Sequence, residues 1–248
     1  MTKGSKDLWL GLNKSARSAL LARDYGDKTL ADRLGGAGVA AEELVQLNRE
    51  SEPAQQIWIP GVEIFPRKVH RQRHRGLFGE FVREKEGILA QIGLWPKQWA
   101  AARMFAHTAK GFHVHPPSIP EETSAAAWHK RLFGEQAKNY GLRRYDREQW
   151  DVMFFVQGRI EMILRDVRDG LNSRTMRFYI DGDNHPGGNN AGVVIPAGVA
   201  HALRVEGSED AIMVYGTSTP FHPEFEGRIA SDIETLDLPE SWKEFLGV

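Results

Sequence analysis

Gly111-Phe-His113-Val-His115, Asp151-Val-Met-Phe-Phe-Val-Gln-Gly158 and Pro196-Ala-Gly198-Val-Ala-His201 are the stretches that decide how this chain folds. In the first, strand alternation puts both imidazoles on one face and Val114 on the other. In the second, an acid opens an apolar strand that ends at a turn glycine. In the third, a tight turn launches a strand at a histidine. Each stretch alone fits something plainer: a pair of surface histidines, an ordinary strand start, a simple turn. Together, in this order and separated by strand-rich sequence, the three stretches are far more specific than any one of them alone.

The surrounding sequence agrees with that reading. From residue 57 the chain is β-branched and aromatic (Ile57-Trp-Ile-Pro-Gly-Val-Glu-Ile-Phe65), and strand-like runs recur at Gly87–Gly93, Ala100–Thr108, Gly111–His115, Val152–Leu164, Met176–Ile180, Gly192–Ile195, Ala202–Val205 and Ala211–Tyr215. Turn signals divide them, among them Asp181-Gly-Asp-Asn184 and Pro186-Gly-Gly-Asn-Asn190. Many short strands between Gly, Pro and Asn turns predict a jelly-roll barrel. Residues 7–50 carry helix-period apolar spacing, with a Gly-rich break at Gly35-Gly36-Ala37-Gly38 and a short amphipathic helix at residues 40–47. The expected organisation is a helical arm over 1–56, a β-barrel over 57–230 with a helical insertion at about 117–149, and a C-terminal tail over 231–248.

Bulk properties exclude several classes. The chain has 248 residues, 41% hydrophobic and 10% aromatic, which is enough for a sizeable core. A formal net charge of −1 gives no global drive toward nucleic acid or anionic membrane. There is no cysteine, so neither disulfides nor thiolate chemistry can be invoked. No apolar run reaches the roughly 18 residues of a membrane span, and the opening Met1–Asp7 lacks a secretory apolar stretch. A soluble, cytoplasmic protein is expected.

Five segments of the barrel resemble the dTDP-4-dehydrorhamnose 3,5-epimerase family, a branch of the cupins. Pro60-Gly-Val-Glu-Ile-Phe-Pro66 is similar to that family's first strand. Arg75-Gly-Leu-Phe78-Gly-Glu80 matches its RGxFxE segment, and Lys110-Gly-Phe-His113 sits where the family has RGLH. Ile195-Pro-Ala-Gly-Val-Ala-His201 matches IPPGxAH. Tyr215, with Thr217-Ser-Thr-Pro-Phe221-His-Pro-Glu224, resembles the YxxTxxYxPxxE stretch. The likeness spans residues 58–230. It implies a cupin fold and a reaction that removes a proton next to a C4 ketone and returns one from the opposite face. It also implies His113 as base, Tyr215 as acid, and substrate contacts from Arg75, Phe78, Glu80, Lys110 and His201. The implied substrate is a nucleotide sugar handled without a cofactor, and the implied assembly is a homodimer sharing strands.

The departures from the family pattern have a chemical direction. Lys110 replaces the family arginine, His115 a glutamine, Asp151 a lysine and Phe221 a second tyrosine. His113, His115, Asp151 and His201 then form a donor set suited to Fe, Mn, Zn or Ni. A metal-dependent cupin, isomerase or dioxygenase, is therefore a second expectation, and in it His113 cannot serve as ligand and base through the same nitrogen. A third is a sugar-binding cupin without catalysis. The basic stretch Pro66-Arg-Lys-Val-His-Arg-Gln-Arg-His-Arg75 reads as phosphate contact at Arg75 and as a solvated loop elsewhere. Trp95, Trp99 and Trp128 suit packing or a subunit interface better than stacking on a base.

Overall fold

The structure is a computed structural model that describes residues 39–46, 58–59, 61–115, 149–166, 174–221 and 227–228. The rest of the expected arm, the insertion at 117–148 and the tail at 231–248 lie outside the described residues. What is described is mainly β. The elements in chain order are β1 (Val39–Ala40), α1 (Ala41–Gln46), β2 (Glu63–Pro66), β3 (Val69–Arg71), β4 (Leu77–Gly79) and α2 (Gly87–Gln91). They continue with β5 (Gln98–Met104), β6 (Ala109–Val114), β7 (Asp151–Gln157), β8 (Arg159–Asp166), β9 (Thr175–Asp181), β10 (Ala191–Ile195), β11 (Val199–Glu206), β12 (Ala211–Thr217) and β13 (Gly227–Arg228).

Two sheets face each other in a jelly roll, as the strand and turn pattern predicts. One is six-stranded in the order β1-β9-β8-β11-β6-β13, the other five-stranded in the order β2-β10-β7-β12-β5, and β3-β4 stand apart as a hairpin. Alternation sets what lies between the sheets. Ile160, Met162 and Leu164 of β8, with Met176, Phe178 and Ile180 of β9, point inward to meet Met153 and Phe155 of β7 and Val193 and Ile195 of β10. Because the side-chain period is 2, a one-residue slip of either sheet would turn these groups outward, so burial fixes the register.

β7 reads as an unbroken apolar run because both of its faces are covered. Its alternate residues, Val152 and Phe154, pack outward with Val194 beneath Leu89 of α2 and the flanking Phe65, Phe81 and Trp150. That cover comes from a segment the sequence places wrongly. Gly87–Gly93 is expected as a strand, and it is a one-turn helix closed by glycine. Gly93 adopts φ +69, its N–H donates to Ala90 O at 3.2 Å, and Leu94 N–H donates to Leu89 O at 2.8 Å. This is the Schellman arrangement, which the strand reading mistakes for a turn between strands.

Three further differences concern boundaries. Val152–Leu164, written as one run, is two strands that turn at Gly158. The basic stretch after Pro66 is no plain loop: it forms the β3-β4 hairpin, with His70 opposite Phe78. Val39–Ala40 is extended and pairs parallel to β9, Val39 opposite Phe178, before the expected helix begins at Ala41. Leu44 of that helix is fully buried in the main core.

A buried ion pair ties the hairpin region to the barrel. Arg67 meets Asp183 through two bonds, 2.7 and 3.1 Å. Its Nε–H donates to Glu80 O at 3.1 Å, and its guanidinium lies 4.8 Å from the Phe81 ring centroid and 5.4 Å from that of Phe154. Removing Arg67 leaves the largely buried Asp183 carboxylate without its ion partner. Arg67→Ala should therefore lower unfolding free energy by about 3–5 kcal/mol, read from urea denaturation, whereas Arg103→Ala, at the exposed pair with Asp210, should leave the unfolding midpoint almost unchanged.

Candidate functional site

A cavity of about 230 Å³ opens between the two sheets, and Lys110, His113, His115, Asp151, His201 and Tyr215 all line it. The six-stranded sheet supplies the histidines. In the antiparallel pairing of β6 with β11, His113 stands directly opposite His201, so both imidazoles point to the same face. His115, two residues further on, repeats that direction. Ring centroids of His113 and His201 are 5.9 Å apart, and those of His115 and His201 5.8 Å. The five-stranded sheet supplies Asp151 at the start of β7 and Tyr215 on β12, with Tyr215 opposite Met153.

Close approach at β6 depends on a glycine. Gly111 has φ +129, and a Cβ there would lie 2.7 Å from the Ala202 Cα. No other residue lets the strand pass this near β11, where the register shifts between His201 and Leu203.

Asp151 is the centre of the polar contacts and is only 3% exposed. His115 Nε2 lies 3.1 Å from its Oδ2, and His201 Nε2 lies 3.7 Å from the same oxygen. Gln149 Nε2 donates to Oδ1 at 2.9 Å and also lies 3.1 Å from His115 Nε2. The amide is held from behind, since Thr219 Oγ1 donates to Gln149 Oε1 at 2.7 Å. Burial by itself would raise the Asp151 carboxyl. The charge and hydrogen bond of His115, then His201 and the Gln149 amide, outweigh it and hold the group down at about 2. Asp151 is thus an anion across the working range of pH.

His201 shifts for a different reason. Burial drives it down to about 4; Asp151 pulls the other way, and His115 adds to the burial effect. It is neutral at pH 7. Its Nδ1 lies 3.3 Å from Val199 O, which can only accept, so Nδ1 carries the proton and Nε2 presents a lone pair toward Asp151.

Of the residues singled out from the sequence, the structure brings Lys110, His113, His115, Asp151, His201 and Tyr215 together. It does not bring Arg75, Phe78 and Glu80 to them within one chain. Arg75 is exposed at the tip of the β3-β4 hairpin, Phe78 is 49% exposed, and Glu80 is engaged by Arg83 at 2.9 Å. Phe78 and Glu80 line a separate depression of about 370 Å³ with Arg67, Phe81 and Arg83. The four-residue donor set also contracts. Among the described residues, His115, Asp151 and His201 each offer a ligand atom within 4.8 Å of the others, and His113 stands outside that group. Gln149 and Thr219 were not singled out. Gln149 had a signal, because it lies two residues before Asp151 and shares its face.

No family model matches the chain. Over 181 residues it is 26% identical to the spore coat polysaccharide biosynthesis protein SpsL of Bacillus subtilis (strain 168), covering 72% of this chain and 93% of that one. Among solved structures it is similar to ChmJ, a 3'-monoepimerase from Streptomyces bikiniensis in complex with dTDP-quinovose. The identity is 20% and the TM-score 0.50, over 69% of this chain and 71% of that one. It is also similar to a dTDP sugar isomerase from Desulfovibrio desulfuricans G20, at 12% identity and a TM-score of 0.51, over 70% and 86% of the two chains. The fold is the cupin jelly roll that these structures share. Among the described residues no helix is long and apolar enough to cross a membrane.

The electrostatics give a pH signature. Between pH 6.5 and 4 the unfolded chain protonates the residue-201 imidazole and the folded chain does not, so stability falls as pH falls through that window. Asp151 adds a second loss at lower pH, below its ordinary range and toward 2. Denaturant titrations of chelator-treated protein at pH 7, 6, 5 and 4 should show the first decline, and His201→Gln should flatten it.

Proposed function

We propose that the chain is an isomerase that epimerises a nucleotide-linked 4-keto sugar by moving a proton at a carbon next to the ketone. The observation that carries this reading is the placement of His113 and Tyr215. One comes from each sheet, and both line the same cavity. A sugar ring held between the sheets would present one face to the imidazole and the other to the phenol. His113 takes the C–H proton, the C–H electron pair forms the double bond of an enolate, and the ketone π pair moves onto oxygen. Collapse of the enolate returns a proton from the Tyr215 hydroxyl to the opposite face. The imidazolium and phenolate then re-equilibrate with solvent. These proton moves use side chains alone and call for no cofactor. Lys110, on the cavity wall, offers positive charge to the enolate oxygen or to a phosphate.

The functions of the similar proteins point the same way: polysaccharide biosynthesis for SpsL and 3'-epimerisation for ChmJ. Deuterium from D2O should enter a dTDP-4-keto-6-deoxy sugar at C3 or C5, read by mass spectrometry. His113→Gln and Tyr215→Phe should each slow the exchange by roughly 10²–10⁴-fold. No exchange into any such sugar would remove the reading. Tight binding of the sugar without exchange would instead favour a sugar-binding protein.

The reading includes a homodimer in which the β3-β4 hairpin of one protomer caps the cavity of its partner. Three features support it. The hairpin joins neither main sheet, it exposes Leu77 (39%) and Phe78 (49%), and it carries the basic side chains Arg71, Arg73 and Arg75, which suit a diphosphate. In that arrangement Arg75, Phe78 and Glu80 reach a sugar nucleotide bound by the other chain. Light scattering should give twice the chain mass of 27.9 kDa. Phe78→Ser should shift the protein toward monomer and reduce exchange while leaving far-UV circular dichroism unchanged. A wild-type monomer with full activity would overturn the shared site.

A further inference from the structure

The geometry points to a divalent-cation site formed by His115, Asp151 and His201, with His113 outside it. Bonds of roughly 2.0–2.2 Å to a first-row ion place neighbouring donors about 3–3.5 Å apart. His115 Nε2 and His201 Nε2 stand 3.1 and 3.7 Å from one Asp151 oxygen, and all three ligand atoms fall within 4.8 Å of one another. The three side chains are buried, which removes competing water and separates this cluster from ordinary exposed acids. Each of two ligands is also held from its far side. The Nδ1–H of His201 donates to Val199 O, and the Asp151 Oδ1 accepts from Gln149, itself fixed by Thr219. Such outer contacts orient a ligand and set its tautomer.

Two groups converge on the same ring nitrogen of His115. Gln149 donates its amide hydrogen toward His115 Nε2 at 3.1 Å, and Asp151 offers an oxygen to that nitrogen at the same distance. A protonated Nε2 suits the carboxylate and opposes the amide; an unprotonated one does the reverse. A cation between imidazole and carboxylate engages a lone pair of each and, like a proton on Nε2, leaves the second amide hydrogen of Gln149 to turn elsewhere. Two imidazoles and one carboxylate suit Fe(II), Mn(II), Zn(II) or Ni(II), and three protein ligands leave a position open toward the cavity.

With His113 outside the cluster, ligand and base no longer compete for one nitrogen. The site would set a fixed positive charge in the wall where the enolate oxygen develops its own charge, at the position where the resemblance implies a lysine. That role rests on the epimerase reading above; the existence of the site does not.

Full-length protein stripped with EDTA and titrated separately with Zn2+, Mn2+ and Ni2+ should take up about one ion per chain, measured by calorimetry and elemental analysis. Cobalt(II) should give visible d–d absorption. Asp151→Asn and His201→Gln should weaken uptake by at least about 10–100-fold, and His113→Gln should leave it unchanged, with circular dichroism confirming that each variant is folded. Fewer than about 0.1 ions per chain in the reconstituted wild type would overturn the site, as would a loss in His113→Gln equal to that in Asp151→Asn. One ion bound with no deuterium exchange into any 4-keto sugar keeps the site and removes the epimerase reading. Exchange in protein that binds no ion removes the site and keeps that reading.

Discussion

A carboxylate taken out of water must be compensated on the spot, and Asp151 imposes that demand on everything around it. At 3% exposure its charge would cost several kcal/mol if left alone. Compensation comes from His115 at the end of β6, from Gln149 in the residue pair preceding β7, and from Thr219 through that amide. Each donor sits on a different stretch of chain. The anion is therefore satisfied only when the two sheets close on each other in one register, which makes the polar site a check on the fold as much as a product of it.

The frame that allows this is apolar and two-sided. Facing rows from β8 and β9 and from β7 and β10 lock the sheets together, while α2 and the aromatic residues beside it seal the back of β7. β7 is thus pinned on both faces, and Asp151 is its first residue. A side chain at the end of a strand gripped in this way has little freedom to move away from the imidazoles. On the opposite face of β8 and β9 the pattern differs. There Glu161 and Arg177 form a buried ion pair, so that sheet is not simply hydrophobic inside and polar outside.

Much of this was legible because strand chemistry has a short memory. A period of 2 is enough to say that His113 and His115 share a face, and a Pro-Ala-Gly turn is enough to start the strand that carries His201. The ends of the chemistry were legible too, since Asp151 and Gly158 bracket an apolar run of strand length. What was not legible depended on partners far away in the chain. The run at 87–93 has the same apolar content as a strand, and only the left-handed Gly93 and the 2.8 Å bond from Leu94 to Leu89 show it to be a capped helix. The hairpin at 69–79 hid behind its charges, because basic residues on both sides of a turn look like a solvated loop. Whether His113 joined the ligand group could not be read from an HxH motif at all. Spacing assigns the face; the approach of Asp151 from the other sheet decides which imidazole it meets.

The positions where this chain departs from the pattern it resembles are not scattered. His115 and Asp151 stand where that pattern implies a glutamine and a lysine, and in space they touch. Changing the lysine alone to aspartate would exchange a cation for a buried anion beside neutral neighbours. Changing the glutamine alone to histidine would set an imidazole beside an ammonium group. As they stand, His115 and Asp151 partner each other at 3.1 Å. An aspartate where the resemblance implies a lysine also reverses the sign of the fixed charge on this wall, while the proposed enolate chemistry would need positive charge near the ketone oxygen. Lys110 lines the same cavity, on the β6 strand that leads to His115. A cation between His115, Asp151 and His201 would restore a positive sign at that place, and the imidazole of residue 113 would then remain available to take a proton.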